Sequence, residues 1–218
     1  MRYKLAPGIE IRTENAAKPE IQASGFLKVL LSELPKVEST FDYGCGKLRY
    51  QSALLDTTDI LAIVDSEIQL SRQQIIRGAE TSIRESVARS NRVSVYNDVE
   101  FGKLRALFDR GFCINVLSVI PVLARRKEVL EAIRQRLRPR AECLFVVQYR
   151  NSDFTRMRAM PNAQPWRDGF LIDSARGYSF YGLIAPDKLK AILERAGFAV
   201  RDANLNEGSA YIWAARAR

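Results

Sequence analysis

The 218-residue chain contains no histidine. No Ser-His-Asp triad, Cys-His pair or His-ligated metal site can therefore be assembled from this chain alone, which removes many hydrolase chemistries. Cysteine is scarce as well. Cys45, Cys113 and Cys143 are odd in number, and each lies in or beside a segment that reads as a buried strand. Free thiols of a reducing compartment are expected, not a disulfide framework. Long apolar runs are missing too: "INVLSVIPVL" is the longest, at ten residues with Pro121 inside it, well short of a membrane span. The first residues, "MRYKLAPGIEIRTENAAKP", have no apolar core of a secretory signal. The expected location is the cytoplasm, with no membrane partner. Internal repeats, low-complexity tracts and Gly/Ser linkers are likewise absent.

What remains has the balance of a soluble globular protein, 47% apolar and 27% charged. The length suits one good-sized domain over residues 1–218. The net charge of +9 is unevenly spread, since residues 121–160 carry ten Lys/Arg against four acids. Two readings of that segment stay open. It is a patch facing the phosphates of a nucleic acid or a nucleotide-like substrate, or it is a solvated helix face in a basic protein.

Along the chain, apolar segments of strand length alternate with helical patterns. Leu27, Leu30, Leu31 and Leu34 place a helix in "KPEIQASGFLKVLLSEL", ended by Pro35. With it, residues 1–38 read as an N-terminal helical extension. Strands are predicted over 40–43, in "DILAIVD", "RVSVYND", "FCINVLSVI" and "ECLFVVQY". Between them, helices are predicted over 47–55, over a long amphipathic run from Ile68 to Val87, over "VEFGKLRALFDRG" with Gly111 as its C-cap, and from Val129 to Pro139. A long irregular segment, residues 150–182, follows the fifth strand, and segments of that length are usually functional. "APDKLKAILERAGF" reads as a helix, and "AVRDANLN" with "SAYIWAARA" as a strand pair joined at Glu207-Gly208. The alternation predicts an α/β fold, Rossmann-like and doubly wound, with a mostly parallel seven-stranded sheet, helices on both faces and a C-terminal antiparallel pair.

In such folds ligands bind outside the carboxyl ends of the strands. There the chain writes "FDYGCGK", residues 41–47. Gly44 and Gly46 allow a sharp turn and a close approach of backbone to a ligand. A dinucleotide fingerprint asks for a third glycine at position 49, where Arg49 stands. About twenty residues on, the second strand ends in Asp65, placed to accept hydrogen bonds from ribose hydroxyls. Asp98 ends the third strand in "YND".

An acid after each of the first three strands, with a glycine turn after the first, resembles the class I S-adenosylmethionine-dependent methyltransferases over residues 40–149. The tail "LIAPDKLKAILERAGFAV" is similar to that family's last helix and strand hairpin. The resemblance implies S-adenosylmethionine as cofactor and S-adenosylhomocysteine as product. It implies that Asp42, Gly44 and Gly46 hold the methionine part, with Cys45 between the glycines lining the loop without chemistry of its own. It also implies that Asp65 holds the ribose and that Asp98, helped by Asn97 or Val99, meets the adenine. Leu48 occupies the place where the loop commonly has a further glycine. A sulfonium methyl is already electrophilic, so the protein's task is to hold a nucleophile in line and exclude water. No histidine is needed for that.

The acceptor side is less marked. Asn115, Ser118 and Pro121 of the fourth segment would lie beside the methyl group. The segment lacks the Asp/Asn-Pro-Pro-Tyr/Phe run of exocyclic amino methyltransferases of DNA, and no Pro-Cys pair offers a cytosine-C5 nucleophile. "FDYGCG" and "NVLSVIPVLARRKEVLEA" together resemble methyltransferases associated with DNA phosphorothioation. The 150–182 segment, read as a substrate lid, brings Tyr149, Arg150, Arg156, Arg158, Trp166, Arg167, Tyr178 and Tyr181. Interleaved aromatics and arginines suit a base and its phosphates, although any one of these rings also serves to pack the loop. The acceptor is thus a nucleic acid or a small molecule. Two other readings stand beside the methyltransferase: a non-catalytic Rossmann-like module for cofactor binding, regulation or interaction, and a nicotinamide-dependent oxidoreductase. Arg49 and the missing Tyr-Lys or His arrangement speak against the latter. Neither the general base nor the oligomeric state is fixed by these residues.

Overall fold

The computed structural model describes residues 2–150 and 152–217, with side chains throughout except at 152–154. Asn151 of the predicted lid and the side chain of Asp153 in the basic segment therefore lie outside the described residues.

The chain opens with an antiparallel hairpin, β1 (Arg2–Ala6) and β2 (Ile9–Arg12), turned at Pro7-Gly8. Two short 3-10 turns, at Thr13–Ala16 and Glu20–Gln22, lead to α1 (Gly25–Ser32). The predicted helical extension over 1–38 is thus corrected: its first third is a hairpin. Its helix begins only after Ser24, whose Oγ accepts from the Leu27 amide, a helix-capping contact. There follow β3 (Val37–Tyr43), α2 (Gln51–Asp56), β4 (Thr58–Asp65), α3 (Glu67–Ser71), β5 (Gln74–Ile76), β6 (Ala79–Thr81), α4 (Ile83–Val87), β7 (Val93–Asn97), α5 (Asp98–Lys103), β8 (Phe108–Ile114), α6 (Leu123–Arg136) and β9 (Leu137–Gln148). Then come α7 (Ser152–Arg158), β10 (Ala163–Trp166), β11 (Gly169–Ile172), β12 (Ser179–Gly182), α8 (Pro186–Arg195), β13 (Phe198–Asn206) and β14 (Ser209–Arg216).

Seven of these strands form one sheet in the order β7-β4-β3-β8-β9-β14-β13. The first five are parallel, and β14 runs antiparallel to both of its neighbours. Side chains alternate between two cores, as the two-residue period of a strand requires: Phe41, Ala62 and Val64 face one, and Leu61, Ile63 and Phe112 the other. Burial on both faces explains why these strands read as continuous apolar runs. The predicted fold class is what the chain adopts. No helix among the described residues is long and apolar enough to cross a membrane.

Three element assignments are corrected. The long helix from Ile68 to Val87 is broken by the β5-β6 hairpin, whose turn residues Arg77 and Gly78 both take positive φ, 50° and 84°. That pair of dihedrals makes a tight hairpin turn which no helix can hold. The helix ending at Gly111 stops at Lys103, and Gly111 lies inside β8, where an added Cβ would meet the Phe41 ring at 2.2 Å. Gly111 is a close-packing glycine, not a cap. Finally, the irregular 150–182 segment holds a helix and a three-stranded antiparallel sheet, β10-β11-β12.

Candidate functional site

A cavity of about 360 Å³ opens outside the C-terminal ends of β3 and β8. The strand order reverses between these two strands, which is where ligands of open α/β sheets bind. Its floor comes from Asp42 and Tyr43 of β3, the turn at Gly44–Gly46, Asp65 and Ser66 after β4, and Ile114–Val116 with Ser118–Ile120 after β8. Its roof is unexpected. Tyr3, Thr13, Glu14, Ala16–Lys18 and Gln22 of the N-terminal strap line it, with Tyr181 of β12. The strap is stitched to the 150–182 segment, where Ile11 bridges Tyr178 and the Arg12 amide donates to the Tyr178 carbonyl at 2.9 Å.

The glycine turn is built by its backbone. The amides of Gly44 and Cys45 both donate to the Val64 carbonyl, at 2.7 and 3.1 Å. Gly44 has φ of 84°, and a Cβ there would stand 2.2 Å from Val116 Cγ2. Only glycine fits. The Gly46 amide donates to Asp65 Oδ2 at 3.0 Å, and its carbonyl accepts from Gln69 Nε2 at 2.5 Å. Leu48, in place of a further glycine, also adopts a left-handed φ of 59°, and its side chain is fully buried in the core under α1 and α2. Apolar burial offsets the backbone cost at that position.

The electrostatics of the floor are unusual. Asp42 is buried, and no hydrogen bond from a described residue reaches its carboxylate. Burial first, then the nearby charge of Asp65, pushes its pKa up to about 7, with Arg49 opposing. Asp65 is also pushed up by burial, against the amides of Gly46 and Ser66 that hold it. Asn115 has φ of 59° and donates its amide to the Val146 carbonyl, while its Oδ1 is buried without a partner among the described residues. The phenols of Tyr3 and Tyr43 are driven up by burial, so neither serves as a base near neutrality.

Of the residues singled out in the sequence, Asp42, Gly44, Cys45, Gly46, Asp65, Asn115 and Ser118 meet in this lining. Asp98 does not. It is the first residue of α5, half-buried beyond the wall, where Asn97 caps the helix against Glu100. Among the described lid residues only Tyr181 reaches the cavity. The Tyr149 and Arg150 amides donate to the Gly208 carbonyl, and Tyr149, Trp166 and Tyr178 pack on the apolar core. The strap residues Tyr3 and Glu14, together with Tyr50, Gln69 and Gln148, were not anticipated. The Pro7-Gly8 pair between alternating segments is a hairpin signal for the strap, but nothing local tells that the hairpin covers this cavity.

Part of the basic segment is paired with acids. Arg134 pairs with Glu131, Arg138 with Asp109, and Arg125 with Glu128. Arg126 is fully buried, holding both oxygens of Asp168 at 2.6 and 3.1 Å and the Ile120 carbonyl at 2.7 Å. It is a structural bolt between α6 and the β10-β11 turn, not part of a solvated face.

No family model matches the chain. It is 32% identical to "Uncharacterized protein YmfD" of Escherichia coli K12 over 209 residues, 94% of this chain and 92% of that one. Among solved structures, PH0226 of Pyrococcus horikoshii OT3 superposes with a TM-score of 0.67 at 15% identity, over 91% of this chain and 94% of that one. The 1,6-didemethyltoxoflavin-N1-methyltransferase of Burkholderia thailandensis, solved with its substrate and S-adenosylhomocysteine, superposes with a TM-score of 0.61 at 16% identity, over 89% and 78%. By sequence the chain belongs to the family of Escherichia coli YmfD, and its fold is that of the class I S-adenosylmethionine-dependent methyltransferases.

Proposed function

We propose that this protein is an S-adenosylmethionine-dependent methyltransferase. The observation that carries the reading is Asp42, a buried carboxylate at the strand-order reversal with no hydrogen-bond donor from a described residue. The Asp42 oxygens are not among the buried atoms left without a partner; they open to the cavity, where a donor-rich or cationic ligand can reach them. The residues fit the cofactor: Asp42 suits an ammonium group, Asp65 at the end of β4 suits ribose hydroxyls, and the Gly44–Gly46 turn lets a ligand approach the backbone. The fold neighbour solved with S-adenosylhomocysteine supports the same reading.

When bound, the cofactor supplies an electrophilic methyl group. The residues of this chain would do the rest by position. Asn115 and Ser118 at the end of β8 face the acceptor side, and the strap and Tyr181 close the cavity against water. With the nearby phenols pushed out of range, an acceptor that is already nucleophilic, or that loses its proton to solvent after attack, fits this site better than one needing a strong base. An acceptor screen across nucleic acids and small molecules identifies which of the two it takes. The likeness to methyltransferases associated with DNA phosphorothioation rests on two sequence stretches and names no acceptor.

Calorimetric titration with S-adenosylmethionine and S-adenosylhomocysteine, with NADH as control, tests the proposal. Micromolar binding of the first two, absent for NADH, is expected. A folded protein that binds neither ends this reading. Methyl transfer to any acceptor separates it from a non-catalytic module.

A further inference from the structure

We infer that Glu14, on the strap over the cavity, recognises the methyl acceptor, and that this acceptor is a small amine whose N–H or ammonium group donates to Glu14 Oε2. The amine-binding group stands on its own geometry; that the bound amine is a methyl acceptor rests on the function proposed above.

Glu14 lies in the 3-10 turn Thr13–Ala16, is only 6% exposed and lines the cavity. Its Oε1 accepts from Arg2 Nε at 2.9 Å. Arg72 is close enough for its charge and that of Glu14 to attract, but it gives Nη2 to the Glu14 main-chain carbonyl at 2.8 Å, not to the carboxylate. Oε2 is left buried with no hydrogen-bond partner among the described residues. A carboxylate only accepts, so the missing partner is a donor. Leaving a buried oxygen without one costs free energy.

The same deficit recurs around the cavity. Of the buried atoms without a partner, those in the lining are Glu14 Oε2, Gln69 Oε1 and Asn115 Oδ1, all of them acceptors. Donors in the same state, such as Arg72 Nε, Arg110 Nη1 and Trp166 Nε1, belong to residues outside the lining. Gln69 is held in its orientation, because its Nε2 donates to the Gly46 carbonyl at 2.5 Å and to Gln74 Oε1 at 3.2 Å. No hydrogen bond among the described residues fixes the Asn115 side-chain amide, so it can turn either end to a ligand. Glu14 and Gln69 therefore carry the argument. They stand on different sides. Gln69 is tied to the glycine turn, where the cofactor is expected. The Glu14 turn packs on β12, and β12 packs on the Leu117–Val119 turn that carries Ser118, which sets Glu14 with the acceptor-side groups.

Charge narrows the class further. The lining brings three carboxylates, Glu14, Asp42 and Asp65, against the cations Lys18 and Arg49. Arg49 acts on Asp42 and lies over the Tyr50 ring, 5.6 Å from its centre. An anionic acceptor would meet Glu14 as a like charge. A hydroxyl acceptor would need a strong base, and the phenols of Tyr3 and Tyr43 are driven out of range by burial. A neutral amine nitrogen carries its own lone pair and can still offer an N–H to Oε2. Tyr3, Tyr43 and Tyr181 of the lining suit an aromatic body on that amine.

Benzylamine, benzyl alcohol and benzoate, alike in shape and different in charge and donors, are the probes. They are titrated calorimetrically at low ionic strength into the wild type, Glu14→Gln, Arg2→Gln and the exposed, distant Lys127→Gln, with and without S-adenosylhomocysteine. The wild type should prefer benzylamine. Glu14→Gln keeps an oxygen for Arg2 but puts an amide donor where Oε2 stood, and should weaken benzylamine binding roughly tenfold while S-adenosylhomocysteine binds as before. Arg2→Gln leaves the carboxylate without its paired cation and should tighten benzylamine binding, which keeps the test decisive if Glu14→Gln does not fold. Lys127→Gln should change neither ligand. No preference for benzylamine, or equal benzylamine affinity in Glu14→Gln and Lys127→Gln, overturns the site, as does unchanged affinity in Arg2→Gln. Loss of S-adenosylhomocysteine affinity alone in Glu14→Gln would assign Glu14 to the cofactor, and displacement of benzylamine by S-adenosylhomocysteine would put the amine in the cofactor's place; either overturns the acceptor assignment. Benzylamine discrimination without any S-adenosylhomocysteine binding keeps Glu14 as an amine-binding group and removes the methyltransferase reading. S-adenosylhomocysteine binding without discrimination among the variants does the reverse.

Discussion

Asp42 and Asp168 are both aspartates with little solvent access, in regions of opposite design. Asp168, at the β10-β11 turn, receives two hydrogen bonds from the fully buried Arg126 and a contact from Lys188 at 3.3 Å. Burial alone would raise its pKa, but the bonds and charge of Arg126, with Lys188, hold it below the ordinary value. Asp42, on the cavity floor, has no such partner and is pushed up to about 7. The difference lies in the donors: a buried carboxylate held by Arg126 fastens the fold, while one that no described donor holds stands open to the cavity.

The sharpest way to break this contrast is Asp168→Ala. Removing one member of a buried pair strands the other, and among described residues Arg126 would keep the Ile120 carbonyl as its one hydrogen-bond acceptor, beside the Phe180 ring. A loss of about 3–5 kcal/mol is expected in urea unfolding. The double change Arg126→Met with Asp168→Leu should regain most of it. A loss below about 1 kcal/mol for Asp168→Ala would mean that the bolt does not hold the segment in place.

That bolt also shows how much of the molecule could be read from its residues. The mostly parallel α/β sheet and the glycine turn were legible because they follow from local rules: apolar runs alternating with helical patterns, and glycines where the chain turns sharply. Arg126 was not, for an arginine in a basic helical stretch carries no mark of being buried. Its partner lies 42 residues away. Asp98, an acid after the third strand, stands outside the cavity lining as the first residue of α5, which Asn97 caps. The strap over the cavity depends on Ile11 meeting Tyr178, a contact that only the folded chain creates. Turn chemistry was the missed local signal. Glu207-Gly208 reads as a hairpin turn, while Arg77-Gly78, which likewise has positive φ at both residues, falls inside a helical pattern.

Asp42→Asn should sharpen the comparison with an effect of the opposite sign. In the unfolded chain this carboxyl titrates near 3.8, and in the folded protein at about 7. The folded state therefore holds the extra proton between these values, so stability falls as pH rises through that window and the penalty is complete above it. Asparagine removes the penalty. The variant should be more stable than the wild type at pH 8, on the order of 2–4 kcal/mol by urea unfolding, and closer to it at pH 4.5. It should also bind S-adenosylhomocysteine less well. Parallel stability profiles of the two proteins across pH would refute the unpaired state of Asp42.

Asp65 lies between the two extremes, being half-buried and held by the Gly46 and Ser66 amides. Asp65→Ala should weaken S-adenosylhomocysteine binding by roughly 1–3 kcal/mol through lost hydrogen bonds, with part of the loss arising from a looser glycine turn. Hydrogen exchange at the Gly46 amide separates the two contributions. Unchanged affinity with faster exchange would leave Asp65 as a brace for the turn alone.

The smallest effect belongs to an exposed version of the Asp168 pair. Arg138 Nη1 meets Asp109 Oδ1 at 2.9 Å, with the arginine side chain about half exposed at 48%. Arg138→Ala should cost less than about 1 kcal/mol, shrinking further in high salt. The reason is not solvent screening alone. Asp109 Oδ2 also accepts from the Ser39 amide and hydroxyl, both at 2.9 Å, so removing the arginine leaves the carboxylate with donors. A cost comparable to Asp168→Ala would show that the donors left behind do not decide the penalty, and the contrast between Asp42 and Asp168 would then need another cause.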